Sequence, residues 1–511
     1  MTHRRSMDQS LHRPRAWLLL ASLLTLCACS TTLTVNTGED ATKVAGTTGT
    51  MPNAATPNAS APAATAPSAM GSVTPPTPYP STYRAAPSTP TLIRGATLLI
   101  GNGERLDDAD VLMRDGKIAA VGKNLKAPAG AIVVDGRGKW VTPGLIDVHS
   151  HLGVYPSPGV EAHSDGNEAT APATPQVWAE HSIWPQDPGF EAALEGGITT
   201  LHVLPGSANL FGGRSVSVKN VHAVTYQSMK FPDAPHGLKM ACGENPKRVY
   251  GNRRQLPSTR MGNVAGWRAQ WIEAQEYIRD WRQYETRLAS GAKDLRPPKR
   301  DLRLETLAGV LRGEILIQHH CYRADEMAIV ADMAREFGYR VSAFHHATEA
   351  YKIANLLADN KICAAVWADW WGFKMESYDA IPENMILVDA AKGGCTVVHS
   401  DSAEGIQRLN QEAAKGMAYA KRMGLDIKPE HAIRWLTRNA AQAIGLESRI
   451  GTLEEDKMAD VVIWNGNPFS VYALTEKIYI DGALRFDRTT PRSQPESDFL
   501  LGQPAAAGLI R

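Results

Sequence analysis

The feature that most restricts the fold is a rhythm. From residue 143 to about 445, short apolar, β-rich runs alternate with segments of helical 3–4 periodicity. The runs are GLIDVHSH, ITTLHVLPG, RSVSVKN, GLKMACG, EILIQHHCYR, YRVSAFHHAT, ICAAVWADWW and CTVVHSDSAEG. Strands that alternate with helices predict a sheet wrapped by crossover helices, and this count suits a barrel of eight strands. Short strand-like stretches with Gly, Asn and Asp turns flank this region at 91–142 and 446–490. The expectation is a distorted TIM (β/α)8 barrel over 143–445. A small discontinuous β-sandwich domain would be built from both flanks, with a tail over 491–511.

In such a barrel, chemistry gathers at the C-terminal ends of the strands. His149 and His151 end the first run, Lys239 lies on the fourth, and His320 ends the fifth. His346 ends the sixth and Asp401 the eighth. Side chains two apart on a strand share a face, so His149 and His151 point together. Imidazole and carboxylate donors suit Zn²⁺ and similar divalent ions. One such pair alone fits ordinary strand histidines equally well; the set of strand ends favours a shared metal site.

The flanks of the chain add limits. The chain begins with a basic stretch, a short apolar run and LCAC, the pattern of a secretory signal. The apolar run is too short to span a bilayer. The order Leu26-Cys27-Ala28-Cys29 resembles a bacterial lipoprotein lipobox. That resemblance implies cleavage before Cys29 and lipid on its sulfur over 1–29. Ser30 then points to the periplasmic face of the outer membrane; the alternative is a plain signal peptide and a soluble periplasmic protein. Residues 30–90, rich in Thr, Ala, Pro, Ser and Gly, read as a disordered tether. Cys242, Cys321, Cys363 and Cys395 are scattered near strands and are expected to be free, buried thiols. A formal net charge of +1 and the lack of a basic cluster with aromatics argue against nucleic acid. Membrane contact is expected only through the lipid.

The stretches TPGLIDVHSHLG, GGITTLHVLPGS, HCYRADEM, HHATEAYK and VVHSDS occur in order. With TRNAAQAIGLESRIGTLEEDKMADVVIWNGNP, they resemble the amidohydrolase superfamily over residues 91 to about 490. The nearest branch is imidazolonepropionase-like and prolidase-like. The resemblance implies a metal-dependent hydrolase that uses a metal-activated hydroxide to cleave an amide, peptide-like or cyclic amide C–N bond. His149 and His151 would hold the more buried metal, and His320 and His346 a second. Asp401 would contact the first metal and act as general base, then general acid. Lys239, carboxylated, would bridge two zinc ions; without that modification one ion is expected. Lys219 and Glu244 are rivals for the bridge. Of the paired histidines, His319 and His345 would face outward, and His399 would support Asp401.

The expected substrate is a small amide or dipeptide-like molecule, with His202, Arg260 and Tyr322 as candidate contacts. His202 reads equally well as a core histidine. Arg253, Arg254 and Arg260 fit either a substrate carboxylate or solvated surface. Lactone hydrolysis, deamination on the same metal site, or a binding role without catalysis are the alternatives, and the family's habits leave room for a homo-oligomer. Two departures from the family pattern, Asn439-Ala440-Ala441 and Asp456, lie away from the metal positions.

Overall fold

The computed structural model describes residues 79–370 and 372–490. The expected signal segment 1–29 with Cys29, most of the tether, and the tail 491–511 lie outside these. Residues 79–90, the end of the expected tether, run along the folded body. Lys230 Nζ donates to the Tyr79 carbonyl at 2.9 Å. Ser81 Oγ donates to the Lys230 carbonyl at 2.6 Å, and the Tyr83 hydroxyl to Asp481 at 2.5 Å.

Five strands come first: β1 (Thr91–Leu99), β2 (Arg105–Arg114), β3 (Lys117–Gly122), β4 (Ile132–Asp135) and β5 (Trp140–Pro143). After Gly144 the chain enters β6 (Leu145–Ser150). A Cβ on Gly144 would lie 2.0 Å from Thr199 Oγ1, so the crossing from one sheet to the other needs glycine. Then follow β7 (Ile198–Val203), β8 (Phe211–Lys219), β9 (Gly237–Ala241), β10 (Leu316–Cys321), β11 (Val341–His346), β12 (Cys363–Val366) and β13 (Thr396–Val398). The C-terminal strands are β14 (Val461–Trp464), β15 (Thr475–Ile480) and β16 (Ala483–Asp487). Three helices bear on the site or its supports: α1 (Pro188–Glu195), α2 (Glu244–Gly251) and α3 (Arg260–Ala289).

Strands β6 to β13 form one sheet of eight in chain order, curled into a nearly closed barrel. The gap between its edge strands is bridged by single bonds. Asp401 N donates to the His149 carbonyl at 3.0 Å, and Ser400 N to Asp147 Oδ1 at 3.2 Å. The Ser400 hydroxyl also donates to Asp147. Asp147, two residues before His149, therefore closes the barrel.

One strand departs from the expected parallel order. β8 runs antiparallel to both β7 and β9. Only residues 204–210 separate β7 from β8, which is too short for the dozen-residue crossover that a parallel neighbour requires. The end of β8 therefore sits at the opposite end of the barrel from the ends of its neighbours.

The second sheet runs β16-β15-β14-β5-β1-β2-β3, with β4 also on β1, so both flanks of the chain contribute as expected. It packs as part of one body with the barrel. On β14, Val461 and Ile463 join the sheet's own core, while Val462 and Trp464 join the main cluster beside Leu145 and Leu201. Burial on both faces explains why VVIW is apolar without alternation.

The cysteines correct the expectation of free thiols. Cys242 bonds Cys321, and Cys363 bonds Cys395, with Cα atoms 5.3 and 4.5 Å apart. Each pair joins neighbouring strands of the barrel in register: His320 pairs with Ala241, and Ala364 with Thr396. Cysteines far apart in sequence thus become cross-strand partners, and the distance suits a disulfide.

Candidate metal centre

The strand ends converge. His151 Nε2 lies 3.1 Å from Asp401 Oδ1, and His149 Nε2 lies 3.5 Å from the same oxygen. His346 Nε2 is 3.9 Å from the other oxygen, Oδ2. Asp401 therefore stands between the histidines of β6 and the histidine of β11. The rings of His320 and His346 are 4.5 Å apart, and Lys239 Nζ is 3.3 Å from His149 Nε2. All six strand-end residues expected to hold metal are brought to one place.

The backbone is bent to achieve this. His346 and Asp401 both adopt left-handed backbone, with φ of 71° and 51°. Such conformations are costly for residues with a Cβ and cluster at functional sites. At β11 the bend has a visible effect. Consecutive strand residues normally point to opposite faces, yet His345 and His346 both reach the cluster. His345 Nδ1 is 2.9 Å from His149 Nδ1, which corrects the expectation that His345 faces outward. His319 does face away, packed on Trp267 and Phe344.

His345 also belongs to a chain of hydrogen bonds that sets the tautomer of His149. Gln318 Nε2 donates to the Ala443 carbonyl at 2.9 Å, so Gln318 Oε1 accepts from His345 Nε2 at 2.8 Å. His345 Nδ1 then carries a lone pair and accepts from His149 Nδ1. His149 Nε2 is left with its lone pair aimed at Asp401 and Lys239. His151 is set in the same way: its Nδ1 faces the Leu204 carbonyl at 2.9 Å, so it donates there and presents a bare Nε2. Fixing one ring nitrogen to orient the other is the usual support for a metal-binding histidine.

Electrostatics favour ligand forms. Burial holds His149, His320, His345 and His346 well below the ordinary histidine pKa, with nearby cationic groups adding to the effect. Neutral imidazoles are the form that binds metal. Burial lowers Lys239 to about 8, while the Asp401 charge acts the other way. For Asp401, burial acts to raise the pKa, but the surrounding nitrogen groups, His151 foremost, outweigh it and lower the value.

The donor set fits a divalent ion. The ligand atoms of His149, His151 and Asp401 lie within 4.8 Å of one another, as do those of His149, His346 and His399. The Nδ1 atoms of His320 and His346 are buried, with no hydrogen-bond partner among the described residues. Unpaired buried nitrogens are costly, and an ion would satisfy some of them. His399 lies 5.1 Å, ring to ring, from both His149 and His346, so it stands within the cluster. A third group, Cys242, His319 and Cys321, offers no thiolate because its cysteines are joined.

The other expected residues divide. Tyr322 lines the cavity and stacks on His346, 5.1 Å ring to ring, while Trp367 stacks on the same ring at 4.4 Å. His202 does not reach the cavity. Its nitrogens meet Ser217 and Ser215 on β8 at 2.9 and 2.8 Å, and burial lowers it to about 3. Arg260, at the start of α3, is held by Glu326 at 3.0 Å and Glu376 at 2.6 Å, outside the cavity lining. Lys219, on the antiparallel strand, is at the far end of the barrel, bonded to Asp460 and Asp481. Glu244 sits on the cavity wall, at the start of α2 and 3.8 Å from Lys374. Sequence reasoning missed Lys374 and Arg248, which also line the cavity. Their only sequence signal is their place in the segments that follow strands β12 and β9, Lys374 in a loop and Arg248 on α2.

Comparison with known proteins agrees with this geometry. An amidohydrolase family model matches residues 390–483. The crystal structure of an amidohydrolase from Thermotoga maritima is 37% identical, with a TM-score of 0.70, covering 78% of this chain and 100% of that one. Amidohydrolase tasK from Hapsidospora irregularis is 33% identical over 446 residues, 80% of this chain and 44% of that protein. This chain thus spans less than half of that relative's length. A dihydroorotase from Geobacter sulfurreducens is 47% identical over 75 residues, 14% of this chain and 17% of that one.

Proposed function

We infer the activity from one premise: this chain belongs to the amidohydrolase family. The proposal is a metal-dependent hydrolase that cleaves an amide, peptide-like or cyclic amide C–N bond. The observation that supports it is Asp401, whose two oxygens face the histidines of β6 on one side and His346 on the other.

His149, His151 and Asp401 would hold one ion, and His320 and His346 a second, with a carboxylated Lys239 between them. The nitrogen and oxygen donors suit zinc. When bound, such an ion supplies Lewis acidity and makes water nucleophilic near neutral pH. Lys239 suits carboxylation because a buried amine with a lowered pKa is partly neutral, and the neutral amine is the form that takes up CO2. Asp401 accepts a proton from the attacking water and returns it to the departing nitrogen. Tyr322 and Trp367 both pack against the His346 ring and keep it in place.

Asp401→Asn tests the assignment. The expected result is retained metal, measured by elemental analysis, with turnover reduced by about 10²-fold or more. Full activity in this variant would remove Asp401 from its role. A screen of N-acyl amino acids, dipeptides, hydantoins, lactones and aminopurines on zinc-loaded protein separates amide cleavage from lactone hydrolysis and deamination.

Export as a lipoprotein through Cys29 is proposed alongside. Two disulfides among the described residues suit an oxidising compartment. Metabolic labelling with a radioactive fatty acid should mark the wild type and leave Cys29→Ala unlabelled; label on neither contradicts lipidation.

A further inference from the structure

The inner end of the cavity is occupied by the histidines and Asp401, but its wall carries two cations that the chemistry above does not use. The cavity measures about 370 Å³, and both Lys374 and Arg248 line it. Lys374 lies in the loop after β12 and Arg248 on α2.

The Arg248 guanidinium is unpartnered among the described residues, and Lys374 Nζ makes only long contacts. The carboxylates closest to Lys374 Nζ are Glu376 at 3.6 Å and Glu244 at 3.8 Å, both beyond hydrogen-bond distance. Glu376 Oε1 accepts from Arg260 and from Glu244 N, each at 2.6 Å, and the oxygen toward Lys374 is Oε2. Lys374 Nζ otherwise has Asn245 Oδ1 at 3.5 Å and the face of Tyr322 at 3.9 Å. The Arg248 guanidinium has no hydrogen bond or ion pair among the described residues. Contrast Arg253, whose guanidinium donates to the Ala169 carbonyl, and Arg260, which is held by two glutamates. On the cavity wall, then, Lys374 is held only by long contacts and the Arg248 guanidinium by none among the described residues. Next to Lys374, Phe373 also lines the cavity, its ring 6.2 Å from that of Tyr322.

We propose that Lys374 and Arg248 hold a free carboxylate of the substrate, with Phe373 and Tyr322 taking an apolar group beside it. Resting on the hydrolase reading above, this narrows the substrate to N-acylated amino acids, the class that includes dipeptides. A guanidinium and an ammonium converging on one carboxylate form charge-assisted bonds, and the Arg fork matches both oxygens. The Arg248 guanidinium then gains an acceptor, and Lys374 a closer one, when substrate is bound. A neutral amide would offer them no anion.

Two measurements test this. The first is the ratio of kcat/KM for N-acetyl-phenylalanine to that for its C-terminal amide. The wild type is expected to prefer the free carboxylate, and Lys374→Met or Arg248→Met to reduce that preference by about 10- to 100-fold, chiefly through KM. Lys374→Arg should restore most of it. A preference unchanged in both Met variants overturns the proposal. The second is calorimetric binding of 3-phenylpropionate against 3-phenyl-1-propanol, neither of which has a C–N bond to cleave. The carboxylate should bind more tightly, and the double Met variant should lose the difference. If the difference persists, the carboxylate binds elsewhere and the proposal fails. If no amide is turned over but the binding difference is lost in the variant, the hydrolase reading fails and the anion site stands.

Discussion

Two lysines lie fully buried in this barrel, one toward each end, and they are held in opposite ways. Lys219 ends the antiparallel β8. Its ammonium is 3.0 Å from both oxygens of Asp460 and 2.9 Å from Asp481. Lys239 lies on the neighbouring strand β9, and its nearest polar atom is a histidine nitrogen. Among the described residues, no carboxylate comes within ion-pair distance of it. One lysine is a structural tie between barrel and outer sheet. The other is an amine kept short of partners, the condition for a reactive or ligand-forming group. The runs SVSVKN and GLKMACG look alike as sequence; the partners decide their roles.

The largest effect is expected at Lys219. Lys219→Met leaves two carboxylates buried without their cation, and breaking such a set costs about 3–5 kcal/mol. Equilibrium urea unfolding should show that loss, with metal content unchanged in the folded fraction. A change within about 0.5 kcal/mol would mean the tie is not structural.

Next comes the disulfide at Lys219's end of the barrel. Cys363 begins β12 and Cys395 precedes β13, away from the histidines. Replacing both with alanine should cost about 2–4 kcal/mol and leave metal stoichiometry intact. The same change at Cys242 and Cys321 should also weaken metal binding, because Cys321 adjoins His320 and Cys242 leads into the α2 wall. Equal metal retention by the two double variants would erase this contrast between the ends.

The smallest effect on stability is expected at Lys239. Methionine fills a similar volume without burying an amine, so Lys239→Met should change stability by less than about 1.5 kcal/mol. Its signature lies elsewhere: bound zinc should fall from two ions per chain to one. Two ions retained would show that Lys239 is no ligand.

Much of the centre was legible because its information is local. An apolar run ending in a polar residue marks a strand end, and spacing of two puts His149 and His151 on one face. His345 was hidden because only one histidine of the pair was expected to face inward; the register sets His345 beside His320 on the inner face, and the left-handed backbone at His346 brings that ring in as well. His202 was left open between pocket and core, and the serines that settle it lie on the adjacent strand. Arg260 looked available because its glutamate partners, Glu326 and Glu376, come from distant segments.

The sequence by itself determined the strand rhythm, the outer sheet drawn from both flanks, and the set of histidines and acids at strand ends. These follow from periodicity, which a chain carries residue by residue. Only the tertiary structure decided that β8 runs backwards, which lysine is paired, which cysteines meet, and which cations line the cavity. Each of those depends on what lies across a strand pair or a loop, and neighbours in space are chosen by packing and register rather than by neighbours in sequence.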